Sequence, residues 1–394
     1  MLWRKGHRII LNALFFCSLL GVALVLFIYP TLILLLGRFK PQGRYEATAT
    51  PRSVSIITVL RDAPELAVRS IQNLKEMDYP PDKLELVLYE DGKTREMQEA
   101  VADQKTSNVR LAWSDTHQGK ISGLNAAVPL ATGEILVFKD ADSVFLADSL
   151  SHLLCAFADP KVGGVCGRRV IGEKTGALRE GQSLYISFDS AIKEAESRLG
   201  SISSNDGKIY AIRKELYRPL PPGVTDDLCV CLDIVRQGRS FTYAPQARAL
   251  IATPSRDVGH ELVRRRRIVA GSLRCLFSRR DLLNPFRYGL YSLRLGVNKL
   301  LRRCLPLFFL VMLIASVPLA LQNVAFGVIL AMEVGLLFLA AWSIMGGKLR
   351  TPRLLTKCSE AALYFCVGNL GTLLGIMDVL KGKQPLKWDP KKRG

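Results

Sequence analysis

The chain has 394 residues, with 54 Lys and Arg against 35 Asp and Glu, so its formal net charge is +19. The basic residues cluster beside long apolar segments, as is typical of membrane flanks that attract anionic lipid, and nucleic acid is therefore not expected as a partner. The nine cysteines lack the paired spacing of a zinc site and indicate a reducing compartment.

Long uncharged stretches divide the chain. Residues 9–37 and 304–332 contain no charged residue, and each exceeds the roughly 20 residues that a helix needs to cross a bilayer. Pro30 predicts a kink in the first stretch. The predicted segments are a transmembrane anchor at 1–40, a soluble domain at 41–278 that begins with a polar linker, an interfacial helix at 279–303, transmembrane helices at 304–380 and a basic tail at 381–394.

The first half of the soluble domain alternates apolar runs of strand length with amphipathic helical stretches. Strands are predicted at 54–60, 84–89, 109–113 and 135–138, with helices at 65–77, 94–105 and 121–130. This alternation predicts an α/β domain with a parallel sheet and helices on both faces. No Gly-x-Gly-x-x-Gly follows the first strand, so a dinucleotide-binding oxidoreductase is not favoured.

The alternation is weaker after residue 146. Strands are predicted at 162–166, 207–213 and 240–244, and helices at 179–199, about 224–237 and 261–276. Over 286–300, apolar residues recur at helical spacing among Arg287, Arg294 and Lys299, a pattern that favours a helix lying in the membrane interface.

Two carboxylates, Asp140 and Asp142, follow the fourth predicted strand. Open α/β sheets bind their ligands at the carboxyl edge of the strands. A pair of hard oxygen ligands there suits Mg²⁺ or Mn²⁺ that carries a substrate phosphate. The alternative is structural, with Asp142 or Ser143 capping the helix that follows.

Further motifs stand in order around this pair. They are Tyr89-Glu90-Asp91-Gly92, Gly119-Lys120, Thr225-Asp226-Asp227 and the basic run Arg264-Arg265-Arg266-Arg267-Ile268. With Asp140-Ala141-Asp142 and the flanking apolar segments, the chain resembles the membrane-integrated inverting glycosyltransferases of family 2, most of all the branch of hyaluronan, cellulose, chitin and poly-N-acetylglucosamine synthases. The resemblance covers about residues 54–274. It implies a GT-A fold, a Rossmann-like α/β domain with a mixed, mainly parallel sheet, flanked by transmembrane and interfacial helices.

The resemblance also implies roles on the donor side. Asp91 would contact the uracil and ribose of a UDP-sugar, although an Asp-Gly turn is the structural alternative. Lys120 would meet the nucleotide, where a cation offsets phosphate charge. Asp140 would contact the nucleotide-sugar, and Asp142 would bind the Mg²⁺ or Mn²⁺ that bridges the diphosphate.

On the acceptor side, the resemblance makes Asp227 the general base that takes the proton of the acceptor hydroxyl. Asp226 stands where the family has a glutamate and would position the acceptor. Both residues could instead cap the helix that follows.

The chain departs from the family pattern at two places. The family's Gln-x-x-Arg-Trp becomes 264–268, where Arg267 alone matches in kind and would clamp the diphosphate. Residues 264–266 then fit a lipid-facing basic patch. After the first strand, Leu60-Arg61-Asp62-Ala63 replaces the usual Asn-Glu pair, and Asp62 would still serve the nucleotide.

These features together predict a multi-pass glycosyltransferase of the cell's inner (plasma) membrane with a cytoplasmic catalytic domain. It would transfer a sugar from a UDP-sugar to a growing polysaccharide or glycan, and a homo-oligomer or an export partner could complete it. One alternative is a non-processive transferase that glycosylates a membrane lipid. Another is a non-catalytic membrane scaffold or nucleotide-binding regulator.

Overall fold

The computed structural model describes residues 2–41, 51–104, 106–172, 179–251, 257–345 and 352–383. Most of the predicted polar linker and most of the basic tail lie outside these ranges. The described residues form one mixed sheet with helices on both faces, and long apolar helices before and after it.

Eight strands of the described chain form a single sheet in the order β3-β2-β1-β4-β7-β6-β8-β5. The strands are β1 (Val54–Leu60), β2 (Leu84–Asp91), β3 (Val109–Ser114), β4 (Ile135–Lys139), β5 (Ser143–Phe145), β6 (Val162–Ile171), β7 (Ile209–Arg213) and β8 (Ser240–Ile251). The pairs β1·β2, β1·β4, β2·β3 and β6·β8 are parallel, whereas β4·β7, β6·β7 and β5·β8 are antiparallel. The predicted mixed, mainly parallel sheet is therefore confirmed.

Helices account for most of the remaining described residues. They are α1 (Leu2–Ala23), α2 (Tyr29–Arg38), α3 (Pro64–Lys75), α4 (Arg95–Ala102), α5 (Lys120–Ala127), α6 (Ser149–Cys155), α7 (Arg179–Arg198), α8 (Asp226–Arg236), α9 (Val258–Ser278), α10 (Pro285–Tyr288), α11 (Leu290–Leu295), α12 (Leu305–Ala320), α13 (Val324–Met345) and α14 (Arg353–Leu380).

The sheet separates two apolar layers. Ile56 and Ile57 of β1 are each 1 % exposed, yet they belong to opposite layers because successive side chains of a strand point to opposite faces. Helices α3 and α6 cover one face, and α5 and α8 cover the other. Burial on both faces explains why β1, β2 and β4 are continuous apolar runs that can be found from the sequence.

The later strands differ most from the prediction. β5 was not predicted because three residues carry no periodic pattern, and the strand exists through its antiparallel pairing with β8. β6 and β8 run several residues further than predicted, to Ile171 and Ile251. Their added residues pair with each other, from Arg168 opposite Arg248 onward. Partner strands, and not local hydrophobicity, set these ends.

Four helices of the described chain are long and apolar enough to cross a membrane: Arg8–Arg38, Leu290–Ala320, Val324–Met345 and Leu354–Leu380. A π turn over Leu24–Ile28 lies directly before α2, close to Pro30, where a kink was predicted. Its cause is that Pro30 has no backbone N–H to donate to the preceding turn.

The segment predicted as an interfacial helix is continuous with the second of these helices. After α11, a π turn (Gly296–Leu300) and a 3₁₀ turn (Leu301–Cys304) lead directly into α12. The domain boundary predicted at residue 303 therefore falls inside one helical run. Arg294 of α11 is buried and donates to the carbonyl oxygen of Glu196 on α7, which ties this run to the sheet domain.

Helix α9, which carries the arginine run, packs closely along α14. A side chain at Gly375 would come within 2.8 Å of the Arg266 carbonyl oxygen, and one at Gly371 within 2.7 Å of the Arg265 Cβ. Only glycine permits this approach. The contact places α9 over the carboxyl edge of the sheet.

Candidate active site

A cavity of about 420 Å³ opens at the carboxyl edge of β4. Its walls are the N-terminal ends of α5 and α8, the residues before β7, and α9. The charged residues that line it include Lys120, Asp140, Lys208, Asp226, Asp227 and Arg267. The N-terminal ends of the two helices add partial positive charge, which favours an anionic ligand.

Asp140 is the centre of a network of ion pairs. Its Oδ1 lies 2.6 Å from Lys120 Nζ, and its Oδ2 lies 3.0 Å from Lys208 Nζ. Lys120 is the first residue of α5. Lys208 comes directly before Ile209, the first residue of β7, which lies opposite Lys139 of β4. Burial acts to raise the pKa of Asp140, but the two ammonium groups outweigh it and hold that pKa well below its usual range.

The same two lysines extend the network. Lys120 Nζ lies 2.8 Å from Asp226 Oδ2, and Lys208 Nζ lies 2.7 Å from Asp142 Oδ1. Burial acts to lower the pKa of Lys120, whereas Asp140 and Asp226 raise it above its ordinary value, so the ammonium stays charged. Two cations thus hold three carboxylates within hydrogen-bond distance.

Asp227, the second residue of α8, has a different environment. Its Oδ1 accepts the backbone N–H of Leu228 at 2.7 Å, and Asn205 Nδ2 donates to its carbonyl oxygen at 3.1 Å. Burial raises the pKa of Asp227 to about 6, and the neighbouring charge of Asp226 adds to the shift. A carboxylate with this pKa is suited to accept a proton near neutral pH.

Asp91 is buried at the end of β2 and does not line the cavity. Its carboxylate accepts the backbone N–H groups of Gln118 and Gly119, each at 2.7 Å, and its Oδ2 lies 2.7 Å from His117 Nδ1. Arg61 Nη1 lies 3.0 Å from His117 Nε2. Because arginine can only donate, this contact assigns the proton to His117 Nδ1. Asp91 therefore holds the loop that delivers Lys120.

The other predicted donor residues are placed differently. Arg267 lines the cavity, and burial together with Arg264 lowers the pKa of its guanidinium. Asp62 lies in the exposed turn after β1, with a φ of +47°, and is not part of the cavity lining. The structure thus brings Lys120, Asp140, Asp226, Asp227 and Arg267 into one cavity, joins Asp142 to them through Lys208, and keeps Asp91 and Asp62 outside it.

The arginines at 264–266, predicted as a lipid-facing patch, are each paired with a carboxylate. Arg264 and Arg265 pair with the buried Glu261 at 2.9 and 2.6 Å, and Arg266 pairs with Asp378 of α14. The packing of α14 on α9 supplies partners that no local pattern shows.

Lys208 is not among the predicted site residues, and the sequence places it only in the predicted strand 207–213. The missing signal is the antiparallel pairing of β4 with β7, which brings Lys208 to two aspartates far away in the chain. Lys208 Nζ contacts both Asp140 and Asp142, so one cation position is within reach of both carboxylates. A divalent cation fits this oxygen donor set. Among the described residues no group of three or more metal-ligating side chains occurs, so further ligands would come from substrate phosphate and water, as Mg²⁺ commonly uses.

Known glycosyltransferases are similar to the part of this chain that forms the sheet and the cavity. A family model described as "Glycosyl transferase family 2" matches residues 54–220. The chain is 27 % identical over 168 residues to a beta-monoglucosyldiacylglycerol synthase of Nostoc sp., a match that covers 41 % of this chain and 36 % of the relative. It is 23 % identical over 208 residues to a poly-beta-1,6-N-acetyl-D-glucosamine synthase of Staphylococcus epidermidis, covering 51 % and 50 %. The matches thus span between a third and a half of these relatives.

A solved structure matches nearly the whole chain. The mannosyltransferase PcManGT from Pyrobaculum calidifontis, in complex with GDP-Man and Mn²⁺, superposes with a TM-score of 0.70 at 21 % identity, over 95 % of this chain and 100 % of its own. This likeness confirms the GT-A fold.

Proposed function

From the match of residues 54–220 to the glycosyl transferase family 2 model, we propose that this protein is a membrane glycosyltransferase that moves a sugar, with inversion, from a UDP-sugar to a glycan or lipid acceptor. One observation carries the proposal. A single cavity contains cations for a diphosphate, reaches a carboxylate pair suited to a metal ion, and includes Asp227 with a pKa of about 6.

The donor diphosphate would lie against Lys120 and Arg267. Charge-assisted hydrogen bonds to phosphate are stronger than neutral ones, and a guanidinium can bind phosphate through two N–H groups at once. The N-terminal ends of α5 and α8 face the same volume and favour the same negative charge. Asp91 would act through the loop it holds, and not by touching the nucleotide.

Asp140 and Asp142 would hold Mg²⁺ or Mn²⁺. When bound, the ion supplies charge stabilisation for the departing nucleotide diphosphate. Lys208, which contacts both carboxylates, would have to move toward the diphosphate to make room.

Asp227 would take the proton of the acceptor hydroxyl. The hydroxyl oxygen forms a bond to the anomeric carbon while the bond from that carbon to the β-phosphate oxygen breaks, and its electron pair leaves with UDP. With a pKa of about 6, about nine-tenths of Asp227 is ionised at pH 7. Asp226, held by Lys120 at 2.8 Å, would keep the acceptor beside the base.

The proposed orientation puts the catalytic domain on the cytoplasmic side of the inner membrane, because Lys and Arg cluster at the flanks of the apolar segments.

The test is a donor screen on the purified full-length protein in detergent. Release of the nucleoside diphosphate is measured with several UDP-sugars, which give UDP, and with GDP-mannose, which gives GDP. A membrane-lipid extract supplies the acceptor, and the assay is run with Mn²⁺ and with a chelator. We expect Mn²⁺-dependent release of UDP from one sugar donor. Product sizing then separates a polymer ladder from a single transfer. Absence of nucleotide release from every donor contradicts the proposed function.

A further inference from the structure

A group of cations extends from the cavity wall to the helical run Leu290–Ala320. It consists of Arg169 of β6, Lys193 of α7, and Lys299, Arg302 and Arg303 on the turns before α12; we call it the membrane-side cluster. Its members share electrostatic neighbours, since Asp189 of α7 interacts with Lys193, Arg169 and Lys299, and Lys299 interacts with Arg303.

Carboxylates balance only part of this charge. Asp189 lies 2.6 Å from Lys193 Nζ, and Asp206 lies 3.0 Å from Arg169 Nε. Glu196 is also near, but it is occupied by hydrogen bonds from Ser203.

The other cations of the cluster have neutral partners or none. Arg302 donates to Asn298 Oδ1 at 3.0 Å, and Arg303 donates to Ser272 Oγ at 2.6 Å. Arg303 Nε is buried and has no hydrogen-bond acceptor among the described residues. Within that same part of the chain, the side chain of Lys299 makes no hydrogen bond and no ion pair within 4.0 Å. Partly shielded cations that carboxylates balance only in part are unfavourable, so their surplus of positive charge indicates an anionic ligand.

Two cations of the cluster and Arg265 of α9 together act on Tyr185 of α7. Burial and Asp189 act to raise the pKa of its phenol. Arg302, Arg265 and Lys299 outweigh them and lower that pKa to about 8.

The cluster adjoins the proposed base. Arg303 interacts electrostatically with Asp227, and Asp206 lines the cavity together with Gly207, where an added Cβ would lie 3.4 Å from Asp227 Cβ. An anion held by the cluster would therefore belong to the molecule whose hydroxyl reaches Asp227.

The surface next to the cluster indicates that this molecule is a membrane lipid. Lys299 and Arg303 belong to the helical run that is long and apolar enough to enter the membrane. Leu184 and Phe188 of α7 are 61 % and 36 % exposed, and Arg302 lies over the Phe188 ring at 5.9 Å. Apolar surface beside a cationic group suits a lipid headgroup with its chains alongside.

We propose that the acceptor is a lipid whose headgroup carries a phosphate beside the hydroxyl that receives the sugar, and that the membrane-side cluster binds this phosphate. The inference rests on the proposed function for the transfer step. The phosphate itself does not react; it holds the hydroxyl at Asp227.

Binding is tested by thermal unfolding of the full-length protein in a non-ionic detergent. Phosphatidylglycerol is expected to raise Tm, and diacylglycerol, which lacks the phosphate, is not. Lys299→Met and Arg303→Met should each remove at least half of that rise, whereas Arg287→Met, at an exposed arginine, should retain it. If Arg303→Met does not fold, Lys299→Met carries the test. An equal rise with diacylglycerol, or a full rise in the folded variants, overturns the proposal. An equal rise in Tm with glycerol 1-phosphate would show that the site does not require a lipid, which overturns the proposal that the phosphate belongs to a lipid.

Transfer is tested with the best donor and the same acceptors. The wild type should use phosphatidylglycerol in preference to diacylglycerol, and Lys299→Met should raise KM for the phospholipid by about tenfold, the usual effect of losing one charged hydrogen bond. Equal use of both lipids by the wild type overturns the inference and leaves the proposed function standing. Failure of the proposed function would instead appear as absent nucleotide release, while the Tm comparison still decides the phosphate site.

Discussion

The donor end of the cavity and the membrane end, formed by the membrane-side cluster next to the cavity, balance charge in opposite ways. At the donor end, Lys120 and Lys208 pair with three carboxylates, Asp140, Asp142 and Asp226. At the membrane end, Lys299 and Arg303 have no carboxylate within ion-pair distance among the described residues. The surplus of carboxylates around Asp140 and Asp142 favours a metal ion beside the diphosphate, whereas the surplus of cations in the membrane-side cluster favours an anion.

Asp227 lies between the two ends, and its loss should have the largest effect. Asp227→Asn keeps the shape and removes the base, so transfer should fall by about 10²- to 10⁴-fold. The measurement is UDP release under saturating donor and acceptor. Asp148→Asn, at a half-exposed aspartate that faces His152, is the matched control. Transfer by Asp227→Asn at the wild-type rate would remove Asp227 from the mechanism.

Asp142→Ala tests metal binding at the donor end. It removes one of the two carboxylates that a single cation can reach, so Mn²⁺-stimulated transfer should fall on the order of 10²-fold, the loss of a few kcal/mol of charge stabilisation. Electron paramagnetic resonance of Mn²⁺ in the presence of UDP should show weaker binding as well. Unchanged Mn²⁺ binding would show that the metal, if required, is held elsewhere.

Lys208→Met tests whether this lysine competes with a metal ion for Asp140 and Asp142. Without the ammonium, the carboxylates of Asp140 and Asp142 lose a competitor for Mn²⁺, and the affinity for the ion should rise on the order of tenfold. Lys161→Met, at an exposed lysine, should bind Mn²⁺ like the wild type. Weaker Mn²⁺ binding in Lys208→Met would mean that the lysine supports the site and does not compete for it.

The pH profile gives the smallest effect. Asp227 acts as a base only when ionised, so activity should rise with pH to a half-maximum near its pKa of about 6. Asp226 raises that pKa; Asp226→Asn should therefore move the acidic limb to lower pH by about half a unit to one unit. The midpoint is read from initial rates between pH 4.5 and 8. A midpoint that moves upward would contradict the assigned coupling.

Much of the fold could be predicted because its central strands are buried on both faces. β1, β2 and β4 are uninterrupted apolar runs, and their carboxyl ends carry Asp91 and Asp140. β5 and the ends of β6 and β8 could not be predicted, because their residues are strand only through the neighbour they pair with.

Local sequence patterns predict which residue types reach the carboxyl edge: the aspartates after β4, Lys120 at the start of α5, and the acidic pair that begins α8. Strand ends and helix starts are local features with local signals. The partners of these residues depend on how distant segments pack together. The pairing of β4 with β7 brought Lys208 to Asp140, the packing of α14 gave Arg266 a carboxylate, and the run into α12 brought Arg303 near Asp227. Electrostatic pairing depends on distance in space, which the linear spacing of residues does not contain.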